Sequence, residues 1–241
     1  ERMKTPPSAK AFFRARQGRG RAEIISGSLT LAEQENAQAG LAGGKAGQSE
    51  RNALDFYPTT DLRAIRGLLA RDGARIRSLG AVWEPAAGLG HMAREIEAFG
   101  VPCIMSDIAD HGCPGVEVRD FYDFDRAPAP AIVTNPPYAE INSHGRWRWL
   151  EHTLAMPGWR YCALLLNWQW PAAAGLGRIL DRHPFSYCYL LRWRLDFSGE
   201  KSPPHQHAWF VWDRDWIGAE PAFRFMDRTD GERLVEGDLF A

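Results

Sequence analysis

The sequence predicts an α/β domain with a mostly parallel sheet, helices on both of its faces and an antiparallel strand pair at its end. Three observations predict it. Short apolar runs alternate with helix-periodic segments from residue 61 onward, a glycine turn joins the first of these strands to a helix, and two strand-like runs near the end are joined by a polar loop instead of a helix. The composition agrees. Of 241 residues, 45% are apolar and 24% charged, ordinary globular values that exclude a disordered or collagenous chain. Lys plus Arg number 29 against 30 for Asp plus Glu, so bulk charge names no partner and any nucleic-acid surface is local.

Taken in order, residues 1 to 50 are rich in Ala, Gly, Gln and Ser and lack a periodicity that could bury a face, which predicts a flexible tail ahead of a domain over 51–241. The tail is locally basic. Arg2, Lys4, Lys10, Arg14, Arg16, Arg19 and Arg21 face Glu1 alone, a pattern open to a phosphate backbone or to plain solvation. Opening on Glu suggests a trimmed start. Leu62, Ile65, Leu69 and Ile76 recur at helical spacing and Gly80 supplies a stop, so 61–79 is a helix. Ala81-Val82-Trp83 is a short strand, Met92, Ile96 and Phe99 mark the next helix, Gly100 closes it, and Cys103-Ile104-Met105 completes a β-α-β unit. Further strands are expected at 131–134 and 161–166, and the antiparallel pair at 187–197 and 208–212. The four cysteines are scattered, no run approaches the roughly 18 apolar residues of a bilayer span, and no secretory signal is present, so a soluble, cytoplasmic protein with reduced thiols is expected.

Four motifs carry chemistry. The first strand runs into Glu84-Pro85-Ala86-Ala87-Gly88-Leu89-Gly90, whose glycines let the backbone approach a ligand while Glu84 can accept from an ammonium or hydroxyl. Asp107 lies 19 residues beyond Gly88, directly after the second strand, where an acid accepts both hydroxyls of a ribose. Asp120-Phe121 follows a further predicted strand that lies before the one at 131–134; the Asp could accept from an adenine amino group with the Phe packed on the ring, or could stand as an exposed strand-end acid. The sharpest signal is Asn135-Pro136-Pro137-Tyr138, directly after the strand at 131–134. Two prolines make the loop rigid, Asn135 and Pro136 offer carbonyl acceptors, and Tyr138 offers an aromatic face, which together suit a planar ring bearing an exocyclic amino group. Two acceptors on such a poorly nucleophilic nitrogen push electron density back onto it for attack on a methyl sulfonium.

With these motifs the chain resembles the class I S-adenosylmethionine-dependent methyltransferases, and within them the phage and prophage type of DNA adenine-N6 methyltransferase. Asn135 to Tyr138 is similar to their catalytic motif, Glu84 to Gly90 to their cofactor loop, Asp107 to the ribose acid, Asp120-Phe121 to the adenine contact, and Phe56-Tyr57-Pro58-Thr59 to the motif near the cofactor's methionine end. The order of motifs is similar to the gamma arrangement, and the resemblance runs from about residue 54 to about 215, taking in Asp196 to Gly199 and His207 to Asp213. It implies a Rossmann-like, seven-stranded fold and S-adenosylmethionine as cofactor. It also implies cofactor contacts at Tyr57, Pro58, Thr59, Glu84, Ala86, Gly88, Gly90, Asp107, Ile108, Asp120 and Phe121, and single- or double-stranded DNA as the partner. A ribosomal RNA amino group or a protein glutamine would present the same planar nitrogen, and a non-catalytic nucleic-acid binder on this fold is the alternative from another class. The sequence departs from the pattern in two places: Ala86, Ala87 and Leu89 occupy the cofactor loop, and no separate target-recognition domain follows the catalytic loop.

Outside the motifs, Arg146-Trp147-Arg148-Trp149 interleaves cations with aromatic faces; it suits phosphates and unstacked bases, or an amphipathic helix that buries both Trp. Arg192 and Arg194 on the strand at 187–197, with Lys201 beyond it, complete the expected nucleic-acid contacts, though the two Arg equally fit a solvated face. His205 and His207 have metal-ligand spacing without a carboxylate or Cys partner, so no metal is expected. Cys113-Pro114 is in the wrong order for a covalent cytosine-C5 thiolate.

Overall fold

The computed structural model describes residues 59–143, 145–195 and 205–232. The predicted tail with its boundary at 50, Phe56 to Pro58, Asp196 to Gly199 and Lys201 lie outside the described residues.

The first helix, α1 (Arg63–Leu79), starts where the Asp61 carboxylate accepts the Arg63 amide at 3.2 Å and ends where Gly80 turns left-handed at φ 86°. Its buried face carries Ile65, Leu68, Leu69 and Ile76, as their spacing requires. There follow β1 (Val82–Glu84), α2 (His91–Ala98), β2 (Cys103–Asp107), β3 (Val116–Val118), β4 (Ala131–Thr134), α3 (Arg148–Ala155), β5 (Tyr161–Asn167), the short α4 (Gly177–Leu180), β6 (Tyr187–Leu191), β7 (His207–Asp213) and β8 (Ala222–Met226).

The strands form one sheet in the order β3-β2-β1-β4-β5-β7-β6-β8. Strands β1 to β5 run parallel, β7 is antiparallel to both β5 and β6, and β6 pairs parallel with β8. The seven strands of the expected sheet are therefore joined by an eighth. Ala222-Phe223-Arg224-Phe225-Met226 alternates at the two-residue period, but it is short and half-exposed, and it becomes a strand by pairing along β6 from Tyr187↔Ala222 to Leu191↔Met226. β6 also stops at Leu191 instead of running to 197: beyond it the Gln206 side chain donates to the Leu191 and Trp193 carbonyls in place of a neighbouring strand.

Each face of the sheet carries its own apolar layer. One gathers Trp83, Phe121, Trp149, Leu164 and Phe210; the other gathers α1 with Val133, Leu165, Tyr189 and Trp209. Asp72 of α1 is buried in the second layer, where the hydroxyls of Tyr161, Tyr187 and Tyr189 donate to it at 2.8, 3.1 and 2.7 Å. Burial pushes the Asp72 carboxyl up, and the three hydroxyls pull it partly back. Among the described residues no helix is long and apolar enough to cross a membrane.

Candidate active site

The strand order reverses at β1, which has β2 on one side and β4 on the other, so a crevice opens outside the carboxyl ends of these strands. Three of the predicted motifs meet there: the glycine turn leaves β1, Asp107 ends β2 and Asn135 follows β4.

The turn after β1 is held by main-chain bonds and by one carboxylate. Ala87 donates to the Ser106 carbonyl at 3.1 Å, Gly90 to the Ala87 carbonyl at 2.7 Å, and the Gly88 amide to Asp107 Oδ2 at 2.8 Å. Gly90 sits at φ 69°, and a Cβ there would fall 2.6 Å from the Cys113 sulfur, so both conformation and space demand glycine. Asp107 Oδ1 accepts the Ala109 amide at 3.2 Å and lies 3.5 Å from His111 Nε2. Beside it Ile108 is 73% exposed, an apolar side chain left in solvent at the crevice edge. Ala86 is half-buried in the turn.

Glu84 is only 1% exposed. It accepts from the Ala93 amide in the first turn of α2, while its Oε2 has no donor. Burial, with the nearby Asp107 charge adding, holds the Glu84 carboxyl well above the usual carboxylate range.

Phe121 departs from the expected adenine contact, while Asp120 serves as a cap. Asp120 Oδ1 accepts the Tyr122 amide at 2.9 Å and so caps a single 3₁₀ turn. Phe121 is buried between Trp149, stacked at 4.3 Å and 12°, and Trp83, at 5.7 Å and 23°. Both ring faces are occupied by indoles, so Phe121 is a core residue and offers no face to a ligand.

In the loop after β4 Asn135 is half-buried, and its Nδ2 donates to Oγ1 of the buried Thr59 at 3.3 Å, which links the loop to the segment before α1. The Pro137 carbonyl accepts the amides of Glu140 and Ile141, so the chain turns back immediately after the tetrapeptide. Tyr138 is half-buried; its hydroxyl reaches the Leu165 carbonyl at 3.4 Å and its ring lies parallel to His207, 6.4 Å away at 19°. Burial, with His205 adding, pushes the His207 imidazole down to about 4, so it is neutral at physiological pH. His207 thus backs the catalytic loop. Among the described residues no group of three or more His, Cys, Asp or Glu could hold a metal ion. Two further partners escaped the sequence reading: Tyr122 donates to Glu140 Oε2 at 2.8 Å just past the tetrapeptide, and Arg148 lies over the Tyr122 ring at 4.5 Å.

The nucleic-acid candidates separate. Trp147 is a correction: it precedes α3 in a left-handed conformation, its ring is buried against Gly175 and edge-on to Trp170, and it cannot stack on a base. Trp149 is likewise in the core. Arg146 and Arg148 are exposed, as are Arg192 and Arg194. Arg192 pairs with Asp227 at 3.3 Å and lies 4.4 Å over the Phe225 ring.

No family model matches the chain, and no curated protein does either. Solved structures do. A candidate RNA methyltransferase from Pyrococcus horikoshii superposes with a TM-score of 0.50 at 14% identity, over 66% of this chain and 88% of its own. A candidate class I S-adenosylmethionine-dependent methyltransferase from Listeria monocytogenes gives 0.49 at 11% identity, over 70% of this chain and 65% of its own. A methyltransferase subunit of a type I restriction-modification system from Streptococcus thermophilus gives 0.49 at 12%, over 72% of this chain and 47% of its own. The Pyrococcus likeness shows the fold: the described domain has the Rossmann-like methyltransferase architecture, with an antiparallel strand pair toward its end.

Proposed function

We propose that this chain transfers a methyl group from S-adenosylmethionine to the exocyclic N6 amino group of adenine in DNA. Carrying this reading is the proline-stiffened Asn135–Tyr138 loop at the carboxyl end of β4, which neighbours the strand that enters the glycine turn. The residues around that turn fit the cofactor. Glu84 keeps a buried oxygen without a donor, which suits an ammonium group. Asp107 accepts two amides, and a carboxylate has roughly four acceptor positions, which leaves room for ribose hydroxyls. Ile108 gives an adenine ring an apolar surface. When bound, S-adenosylmethionine supplies an electrophilic methyl group on a sulfonium.

The chain's own part is to bind and orient the acceptor. The carbonyls of Asn135 and Pro136 accept the two N–H bonds of the target amino group, which localises its lone pair for attack. Tyr138 stacks on the base, and the neutral His207 supports that ring from behind without adding charge. Arg146, Arg148, Arg192 and Arg194 contact the phosphates flanking the base. The same fold serves several substrates, so the choice of adenine rests on the tetrapeptide. Purified protein incubated with labelled S-adenosylmethionine and unmethylated genomic DNA is expected to yield N6-methyladenine by nucleoside mass spectrometry. Label appearing only in RNA or protein would move the substrate; a folded protein that binds no cofactor by calorimetry would sink the reading.

A further inference from the structure

On the opposite side of the catalytic loop from the glycine turn, the sheet carries apolar surface that the chemistry above does not use. Trp168 directly follows β5, and Phe223 and Phe225 project from β8 on one face; they are 39%, 48% and 45% exposed. The rings form a row: Trp168 to Phe223 is 5.5 Å at 73°, and Phe223 to Phe225 is 5.2 Å at 85°. Near-perpendicular neighbours do not cover one another face to face, so ring surface stays open. Trp168 and Phe223 also border a groove of about 360 Å³ that continues along Pro171, Phe185 and Pro221. At the far end the Arg192 guanidinium lies over Phe225, with its side chain half in solvent.

We infer that this row is a stacking platform for unpaired nucleotides adjoining the target base. The inference rests on the nucleic-acid reading of the active site. Two observations select this occupant. First, the row begins beside the proposed base pocket: the Trp168 amide donates to the Gln206 carbonyl at 2.9 Å, and the next residue, His207, stacks on Tyr138. Second, the row presents π-faces, which every base can stack on, and it ends at the half-exposed Arg192 guanidinium, which Asp227 shares at 3.3 Å. A base lifted from its stack leaves neighbours that need new contacts, and this row supplies them.

The test is fluorescence anisotropy of a labelled single-stranded oligothymidylate with the full chain, in the absence of cofactor. Trp168→Ala and Phe223→Ala are each expected to weaken binding by roughly 5- to 150-fold, the span of one stacked base. Trp168→Phe should retain most of it, and Arg192→Ala should flatten the salt dependence. Both rings are half-exposed, so the variants are expected to keep the wild-type melting temperature. Binding that changes less than twofold in the Trp168→Ala, Phe223→Ala double variant would overturn the inference. So would sedimentation showing self-association that Phe223→Asp abolishes while oligonucleotide binding persists, which would make the row a protein surface. Methyl transfer to DNA, measured on the same preparations, separates the two ideas. Transfer without ring-dependent binding defeats the platform and keeps the enzyme, whereas ring-dependent binding without transfer to any DNA does the reverse.

Discussion

Asp107→Ala is expected to damage the protein in two measurable ways at once. The carboxylate accepts the buried Gly88 amide at 2.8 Å and the Ala109 amide at 3.2 Å, so it braces the glycine turn from across the β1–β2 pair. A hydrogen bond to a charged group contributes about 1.5–3 kcal/mol, and the Gly88 donor would be left buried without an acceptor. The Ala109 bond is partly solvated and adds less, so the fold should lose roughly 2–4 kcal/mol. At about 2–4 °C per kcal/mol for a domain of this size, the melting temperature should fall by roughly 4–16 °C. Separately, the loss of the acceptor for the ribose hydroxyls should weaken S-adenosylmethionine by about 1.5–3 kcal/mol, or roughly 10- to 150-fold in Kd. Differential scanning calorimetry reads the first effect, and titration calorimetry below the variant's transition reads the second. Asp107→Asn retains one acceptor oxygen and should lose about half of each. A lowered melting temperature with unchanged cofactor affinity would mean that Asp107 is only a brace, and the ribose assignment would be wrong.

Asn135→Ala should reduce turnover by roughly 10² to 10³ while leaving cofactor affinity unchanged, and near-wild-type methyl transfer would show that the tetrapeptide is only a turn. Glu84 should release a proton when the cofactor binds, because its carboxyl is held high in the free protein and an ammonium partner stabilises the charged form; binding enthalpies that do not vary with buffer ionisation enthalpy would contradict this. For the same group, the unfolded chain binds fewer protons than the native state above the ordinary value of about 4.5, so cofactor-free stability should fall as pH rises from there, and Glu84→Gln should remove that slope in urea titrations. Asp72→Ala should cost about 3–5 kcal/mol in urea unfolding, since three tyrosine hydroxyls lose one buried acceptor; a loss under about 1 kcal/mol would show that water replaces it.

What the sequence discloses depends on how local the deciding interaction is. Strand β4 spans the residues its apolar run predicts, and α1 ends at Gly80, because a run and a stop are properties of neighbours in the chain. The motif residues Glu84, Asp107 and Asn135 come to one sheet edge for the same reason: each ends or directly follows a strand whose apolar run is local in the sequence. Phe121 was misread because the indoles that take its faces come from positions 83 and 149. The Arg-Trp alternation at 146–149 looks alike whether its rings face solvent or core, and only packing against Gly175 and Trp170 decides for Trp147. β8 escaped because a five-residue edge strand has no meaning until β6 is there to pair with it.

The tie between α1 and the three tyrosines also bears on how the chain folds as it is made. Asp72 meets its partners 89, 115 and 117 positions later, and the Trp209 indole donates to the Ala64 carbonyl from 145 positions away. At a synthesis rate of about 5–20 residues per second, α1 waits roughly 6–23 s between its own emergence and that of Tyr189. β1, β4 and β5 of the same layer emerge during that interval, but until its end the buried acid has only the Tyr161 hydroxyl of its three partners. The first described helix is therefore among the last elements to be sealed. A ribosome-stalled chain ending before β6 would expose this helix to chaperones and proteases.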